Sequence, residues 1–178
     1  GTSPDMGAYE SEYGVGPYYG PVWYVDGSIE LPYGNGGPGA PFYTISQGIA
    51  AASSGDTVSV AAATYFETIN FNGKNIAVIG AGRETTIIDG NQAGSVVSFS
   101  SGEDSTAVLS GLTITNGRTN YGGGIYVSIS SPRLDDLKII GNSADYNGGG
   151  IYCENSSSTL SGVTISGNSA TSGGGIYI

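Results

Sequence analysis

Short apolar runs alternate with polar residues along most of the chain, and in its last third they recur at a fixed interval. The sequence Gly-Gly-Gly-Ile-Tyr, called here the Gly triplet repeat, begins at Gly122, Gly148 and Gly173, at spacings of 26 and 25 residues. The runs are rich in β-branched residues and alternate every second position, which predicts strands. No repeat holds a stretch long enough for two helices, so the period predicts a parallel β-solenoid with one repeat per coil.

Stacked coils place equivalent residues in columns about 4.8 Å apart. Ile125 and Ile151 belong to one predicted column, and Cys153 belongs to another. Alternation puts both columns inside the solenoid, where Cys153 is expected to be a buried structural thiol. The residues between the two columns point outward and form a predicted tyrosine ladder: Tyr126, Tyr152 and Tyr177.

Asparagine also recurs in step with the repeat, at Asn116, Asn142 and Asn168. Asn142 and Asn168 lie in matching Gly-Asn-Ser-Ala sequences, which are typical of turns. In such turns the side-chain amide can hydrogen-bond to the next coil, so we expect an asparagine ladder.

The region before the coils predicts one short helix. Thr44 and Gln47 fit a capping box, and the apolar residues that follow end at Gly55. A helix here would cover the open first coil. The predicted organisation is therefore a Tyr-, Pro- and Gly-rich segment over 1–23, an opening strand, loop and capping helix over 24–55, and parallel β-helix coils over 56–178.

Several motifs resemble those of secreted bacterial right-handed parallel β-helix proteins. They include Tyr-Val-Asp-Gly-Ser at Tyr24, Ser-Gly-Asp-Thr-Val at Ser54, Gly-Leu-Thr-Ile-Thr-Asn-Gly at Gly111 and the Gly triplet repeats, and they span roughly residues 24–178. The resemblance implies an all-β, right-handed parallel β-helix of about 25–26 residues per regular coil with a short N-terminal capping helix. This pectate-lyase-like family contains polysaccharide lyases and hydrolases as well as surface proteins without known activity.

The first residues carry a motif in an unusual place. Pro-Asp-Met-Gly-Ala-Tyr-Glu, beginning at Pro4, resembles the motif that closes such domains, yet here it precedes the opening motif. This order, with a last coil that lacks a closing element, predicts that copies of the chain assemble head to tail into a filament. The candidate assembly contacts are Pro4, Asp5, Met6, Tyr9, Tyr13, Tyr18, Tyr19 and Trp23.

Charge and composition exclude several functions. A net charge of −10 argues against binding to nucleic acid or to anionic membranes, and no apolar run is long enough for a membrane span. The chain has no histidine, which removes histidine-based catalysis and most zinc sites. We therefore predict no catalytic residue, no metal ligand and no cofactor.

The best acidic cluster is Asp135 and Asp136, with Arg133 and Lys138 nearby. A polysaccharide lyase could use such carboxylates for calcium and a basic residue as proton acceptor. The pair aligns, however, with Ser-Gly sequences in the adjacent coils, which favours a solvated turn. The tyrosine ladder is likewise able to stack on sugar rings, but stabilisation of neighbouring strands is the favoured interpretation.

The sequence thus favours a non-enzymatic structural protein, extracellular or at the cell surface, whose partner is another copy of itself. The alternatives are a polysaccharide-binding or polysaccharide-degrading β-helix protein and a fragment of an adhesin, either of which would bind extracellular carbohydrate. No nucleic-acid partner and no membrane insertion are expected.

Overall fold

The computed structural model describes residues 16–29 and 34–178. The elements in these ranges are, in chain order, β1 (Val22–Val25), α1 (Ile45–Ala51), β2 (Thr57–Val60), β3 (Thr64–Phe66), β4 (Ile69–Asn70), β5 (Ala77–Gly80), β6 (Ile87–Asp89), β7 (Val97–Phe99), β8 (Val108–Thr115), β9 (Arg118–Tyr121), β10 (Ile125–Ser128), β11 (Arg133–Ile140), β12 (Ser143–Asn147), β13 (Ile151–Glu154), β14 (Thr159–Ser161), β15 (Thr164–Ser166) and β16 (Ile176–Tyr177).

These strands stack as parallel ladders on the sides of a β-helix. One sheet runs β1-β2-β5-β8-β11-β14, and a second runs β4-β7-β10-β13-β16. The long strands β8 and β11 bend midway, so that their second halves pair with β6 and β15 on another side. A short pair, β9 and β12, completes the coil. The predicted parallel β-helix is confirmed, and its short N-terminal helix is α1.

The core consists of inward columns that continue from coil to coil. Ile125 pairs in register with Val97 on one side and Ile151 on the other, and all three are fully buried. Fully burying a side chain of this size contributes about 1.5–3 kcal/mol. Cys153 lies in register with Val127 inside the helix, and burial raises the pKa of its thiol. Phe71 and Phe99 stack with ring centroids 4.2 Å apart.

Helix α1 is held at both ends by side chains. Thr44 and Gln47 form the predicted capping box at its start. Glu67, from the loop after β3, accepts hydrogen bonds from the first backbone N–H groups of the helix. At the other end the Lys74 ammonium donates to three backbone carbonyl oxygens, at 2.7, 2.9 and 2.7 Å, which satisfies acceptors that the helix itself leaves free.

The N-terminal edge of the sheet is covered by the chain itself. Tyr24 in β1 donates its N–H to the Gly36 carbonyl, and its own carbonyl accepts from Phe42, both at 2.8 Å. Trp23 is nearly buried, stacks on Phe42 and donates its indole N–H to Asp56 at 3.0 Å. The edge groups of β1 are therefore paired within the molecule.

The last coil presents the same columns without a covering neighbour. Leu160 and Ile176 are 38% and 39% exposed, whereas their register partners in the preceding coil, Leu134 and Ile151, are fully buried. The difference arises because a partner coil lies on each side of Leu134 and Ile151. The edge formed by β14, β15 and β16 is thus apolar and offers the side chains on which a further coil of this type would pack.

The asparagine ladder forms between two coils only. Asn142 donates its side-chain amide to the Asn168 side-chain oxygen at 3.0 Å. Asn116 is not part of this ladder, because the register between its coil and the next is 25 residues and places Gly117 opposite Asn142. The 26-residue spacing of Asn116 was misleading, and its side chain instead donates to Asp89.

One inserted residue explains the two different spacings. The pairing of β12 with β9 shifts between Ala144 and Asn147, so that Asp145 and Tyr146 stand opposite the single residue Asn120. Equivalent residues before this bulge are therefore 25 apart and those after it 26 apart, and the following coil restores the count. The β-bulge directs Tyr146 outward, where it is 54% exposed.

We predict that Ile129→Asn stabilises the fold. Ile129 has φ of +52°, which costs a β-branched residue roughly 1–2 kcal/mol, and its side chain is 70% exposed. The next coil has Asn155 in the same place, with φ of +50°. Urea denaturation should show an increase of about 1 kcal/mol in the free energy of unfolding. Ile129→Val, which keeps the branched side chain, serves as the control and should change little. A loss of stability in Ile129→Asn would contradict the strain argument.

Candidate functional site

The tyrosine ladder occupies the outward side of β10, β13 and β16. Tyr126 and Tyr152 stack with ring centroids 5.6 Å apart and planes 5° apart, and Tyr152 and Tyr177 stack at 5.6 Å and 6°. The structure therefore brings together all three tyrosines that the sequence grouped. Their column follows from register, since each Gly triplet repeat starts its strand at the same point of the coil.

Two further tyrosines extend this ladder into a wider surface. Tyr121, at the end of β9, lies 5.3 Å from the Tyr152 ring and 5.5 Å from the Tyr146 ring, between centroids. Tyr121 is 41% exposed. The five rings form a continuous aromatic surface, the five-tyrosine face, made of Tyr121, Tyr126, Tyr146, Tyr152 and Tyr177.

Sequence reasoning missed Tyr121 and Tyr146. Both lie just before a Gly triplet, directly in one case and with Asn147 between in the other. The signal that could have found them is the change in spacing, from 25 and 26 residues for the strands around Leu112 to 26 and 25 for the Gly triplets. That change requires an inserted residue in the segment that contains Tyr146.

The surroundings of the five-tyrosine face are neutral or acidic. Ser128 follows Tyr126 on the outward side of β10, and Glu154 follows Tyr152 on β13. Desolvation, followed by the nearby Glu154 carboxylate, raises the pKa of Tyr152. The phenols are consequently neutral at physiological pH and can both donate and accept hydrogen bonds.

The predicted acidic cluster lies in β11 on another side of the molecule. Asp135 forms an ion pair with Arg133 at 2.8 Å, and this hydrogen bond holds the pKa of Asp135 below its usual range. Asp136 has φ of +46° and lies at the bend between the two halves of β11, next to the Arg83 guanidinium at 3.4 Å. The two carboxylates thus have separate cationic partners.

Arg83 and Lys138 join this cluster to neighbouring coils. Arg83 donates to the Gly162 carbonyl at 2.9 Å, and Lys138 pairs with Glu84 at 2.9 Å. The arrangement links coils through exposed ion pairs, each of which contributes about 0–1 kcal/mol. A carboxylate whose pKa is lowered, like that of Asp135, is poorly suited to donate a proton near neutral pH.

The candidate assembly contacts fall into two groups. Pro4, Asp5, Met6, Tyr9 and Tyr13 lie outside the described residues. Of the others, Tyr19 is largely exposed.

Trp23 and Tyr18 are engaged within the chain, contrary to the prediction that they contact another copy. The Trp23 ring packs edge-to-face against Tyr18 at 5.5 Å, and the Tyr18 hydroxyl donates to the Val22 carbonyl. The physical reason is that β1 begins at Val22, so Trp23 belongs to the opening strand. This strand requires an inward anchor of its own, which Trp23 provides beside Phe42.

The described residues hold neither a metal-type cluster nor a long apolar helix. No group of three or more His, Cys, Asp or Glu side chains among residues 16–29 and 34–178 is placed to hold a metal ion. The single helix in these ranges is too short and too polar to cross a bilayer.

One family model matches part of the chain. It describes the Chlamydia polymorphic membrane protein repeat and matches residues 136–154 and 162–178, which is less than half of the chain. These segments contain the second and third Gly triplets. No curated protein sequence matches the chain.

The fold is similar to solved pectin methylesterase structures. Pectin methylesterase PemA from Erwinia chrysanthemi is 16% identical with a TM-score of 0.52, over 84% of this chain and 52% of that one. A pectin methylesterase in complex with hexasaccharide VII is 13% identical with a TM-score of 0.54, over 77% and 53%. A point mutant of pectin methylesterase in complex with hexasaccharide IV is 14% identical with a TM-score of 0.50, over 75% and 48%.

The chain spans about half the length of these structures, and the likeness concerns the fold alone. Together with the repeat match, it identifies the chain as a parallel β-helix repeat protein, in agreement with the resemblance seen in the sequence.

Proposed function

We propose that this chain is a structural section of a cell-surface β-helix protein and that it is not an enzyme. The observation that carries the proposal is the repetition of the same inward and outward contacts from coil to coil, as in the columns of Ile125 and Tyr126. Such a stack extends by adding coils, because each coil buries the apolar face of its neighbour. The match to a repeat of Chlamydia polymorphic membrane proteins supports a surface location.

Labelling of intact cells tests the surface location. Cells that produce the protein natively are incubated with an antibody to the folded chain, with and without permeabilisation. We expect equal labelling under both conditions, and removal of the label by brief treatment of intact cells with protease. Labelling that requires permeabilisation would contradict the proposal.

The finer form of the proposal is end-to-end association of copies into a filament. Direct pairing of β1 with the last coil of another copy is disfavoured, since Gly36 and Phe42 already occupy the edge of β1. The docking element in this form is therefore residues 1–15, and its target is the apolar edge that includes Leu160 and Ile176. A docking segment that ended at Trp23, as the sequence suggests, would take half of β1 with it.

A chain that lacks residues 1–15 keeps β1 and tests this association. Sedimentation and electron microscopy over a range of concentrations should show filaments of the whole chain and folded monomers of the shortened chain. Leu160→Glu in the whole chain should also abolish filaments, because it places a charge on the apolar edge. If the whole chain stays monomeric, or the shortened chain polymerises equally, the filament form is wrong and the surface section stands by itself.

The competing candidate is a polysaccharide-degrading enzyme. It is favoured by the fold shared with pectin methylesterases and by the outward cluster of Asp135, Asp136 and Arg83. The ion pairing of both carboxylates argues for a structural cluster instead, since each charge is compensated by a cation from its own or a neighbouring coil.

We predict that the purified chain neither releases methanol from methyl-esterified pectin nor cleaves polygalacturonate with calcium present. The Erwinia chrysanthemi enzyme serves as the positive control for methanol release. Asp136→Asn should leave both readouts at the buffer level and change stability only slightly, because the lost ion pair is exposed. Product formation by the chain that Asp136→Asn abolishes would establish the enzyme and overturn the structural proposal.

A further inference from the structure

The five-tyrosine face contains aromatic rings that coil stacking does not require. Tyr126, Tyr152 and Tyr177 contribute to strand packing, since they stack directly along the ladder. Tyr146 is different, because it projects from a one-residue insertion and remains 54% exposed. Bulges are often found where a side chain must be aimed at a ligand. Its contact with Tyr121 widens the ladder into a platform on which a ligand can lie.

The platform is apolar on its rings and polar at its edges. The hydroxyls of Ser143 and Ser169 lie along the β9–β12 side and hydrogen-bond to each other at 3.2 Å. The nearest charges along the chain are the carboxylates of Asp145 and Glu154, and the whole chain carries a net charge of −10. An anionic ligand is therefore disfavoured, whereas a ligand with flat apolar faces and many hydroxyls suits this surface.

We propose that the five-tyrosine face binds a neutral carbohydrate chain. The C–H faces of successive pyranose rings would pack on Tyr121 and Tyr146, and sugar hydroxyls would exchange hydrogen bonds with the phenols and with Ser143. Adjacent rings on the face are 5.3–5.6 Å apart, a spacing comparable with the length of one sugar unit in an extended chain. An oligosaccharide, rather than a single sugar, therefore matches the site. This inference does not depend on the structural role proposed above.

Binding is tested first on an array of neutral, acidic and basic glycans, using the purified chain. The strongest neutral glycan is then titrated by calorimetry against the chain and its variants. Tyr121→Ala combined with Tyr146→Ala should weaken binding at least about tenfold, the loss typical of removing central aromatic contacts. Tyr121→Phe combined with Tyr146→Phe keeps the rings and should bind within about threefold of the unchanged chain. Phe66→Ala removes an exposed ring elsewhere and should have no effect.

Thermal melting of each variant shows whether the fold is retained, which is expected because Tyr121 and Tyr146 are substantially exposed. Selective loss of binding by the folded double alanine variant supports the proposal. Three results would overturn it: no neutral glycan retained on the array, binding confined to acidic or basic glycans, or equal affinity of the double alanine variant.

Discussion

Asn142→Asp is expected to lower the free energy of unfolding by about 3–5 kcal/mol at pH 7, the range for a buried charge without a counter-ion. The Asn142 side chain is 1% exposed. Its amide nitrogen donates to the carbonyls of Ile114 and Ile140 and to the Asn168 side-chain oxygen, at 3.0, 3.1 and 3.0 Å. Its oxygen accepts from Gly117 N–H at 2.9 Å. A carboxylate would place a negative oxygen against three acceptors.

The introduced carboxyl should have a raised pKa, because both burial and the facing carbonyls disfavour its charge. A group with a raised pKa in the folded state costs least when it is protonated, so the loss of stability should shrink as the pH falls from 7 towards 4. Urea denaturation at both pH values measures this difference. Asn120→Asp, which makes the same chemical change at an exposed position of β9, should cost less than about 0.5 kcal/mol. Equal effects of the two substitutions would refute the proposed role of the asparagine ladder.

Glu103→Gln is expected to cost about 2–4 kcal/mol at pH 7, because hydrogen bonds to a buried charged group are the strong ones. Glu103 is 1% exposed and connects three coils. Its carboxylate accepts from Gly73 N–H at 2.8 Å, from Ser101 N–H at 2.9 Å and from the Ser130 hydroxyl at 2.8 Å. A glutamine would turn an N–H₂ group towards one of these donors.

The pH dependence provides a second readout. Burial opposes ionisation of Glu103, but the hydrogen bonds from Ser101, Gly73 and Ser130 outweigh it and hold the pKa below its ordinary value of 4.5. A lowered pKa in the folded state means that the carboxylate stabilises the fold above pH 4.5 and loses this effect as the pH falls through the folded-state pKa. The difference between the unchanged chain and Glu103→Gln should therefore narrow in acid. Glu154→Gln, at an exposed carboxylate, is the control, and a constant difference at all pH values would contradict the mechanism.

The columns could be predicted from the sequence because stacking makes local period and long-range contact the same thing. Ile125 and Ile151 lie one coil apart in the chain and side by side in space, so a repeat read along the sequence specifies a pair in the sheet. The same reasoning fails at Asn116, where an insertion further along the chain changes the spacing without changing the register of the preceding strands.

Other features depend on contacts that no local pattern shows. Glu103 is an isolated carboxylate in the sequence, and its partners Gly73 and Ser130 come from the coils on either side. Trp23 was expected to contact another copy because its segment is rich in aromatic residues, whereas its indole N–H finds Asp56 within the same chain. In both cases the sequence identifies the residue type, but only the stacking of irregular early coils decides its partner.

The central claim is that the molecule is a stack of coils in which each coil builds the surface for the next, so that extension is its structural role. Inserting two further copies of residues 133–158 after Ser158 tests it most directly. X-ray scattering should show a particle about 10 Å longer with an unchanged cross-section, because each coil adds about 4.8 Å. The urea m-value should rise with the added buried surface. The same insertion carrying Ile139→Ser and Ile151→Ser in the added coils should leave them unfolded. A particle that is no longer than the original, or added coils that protease removes from the unsubstituted insertion, would contradict the account.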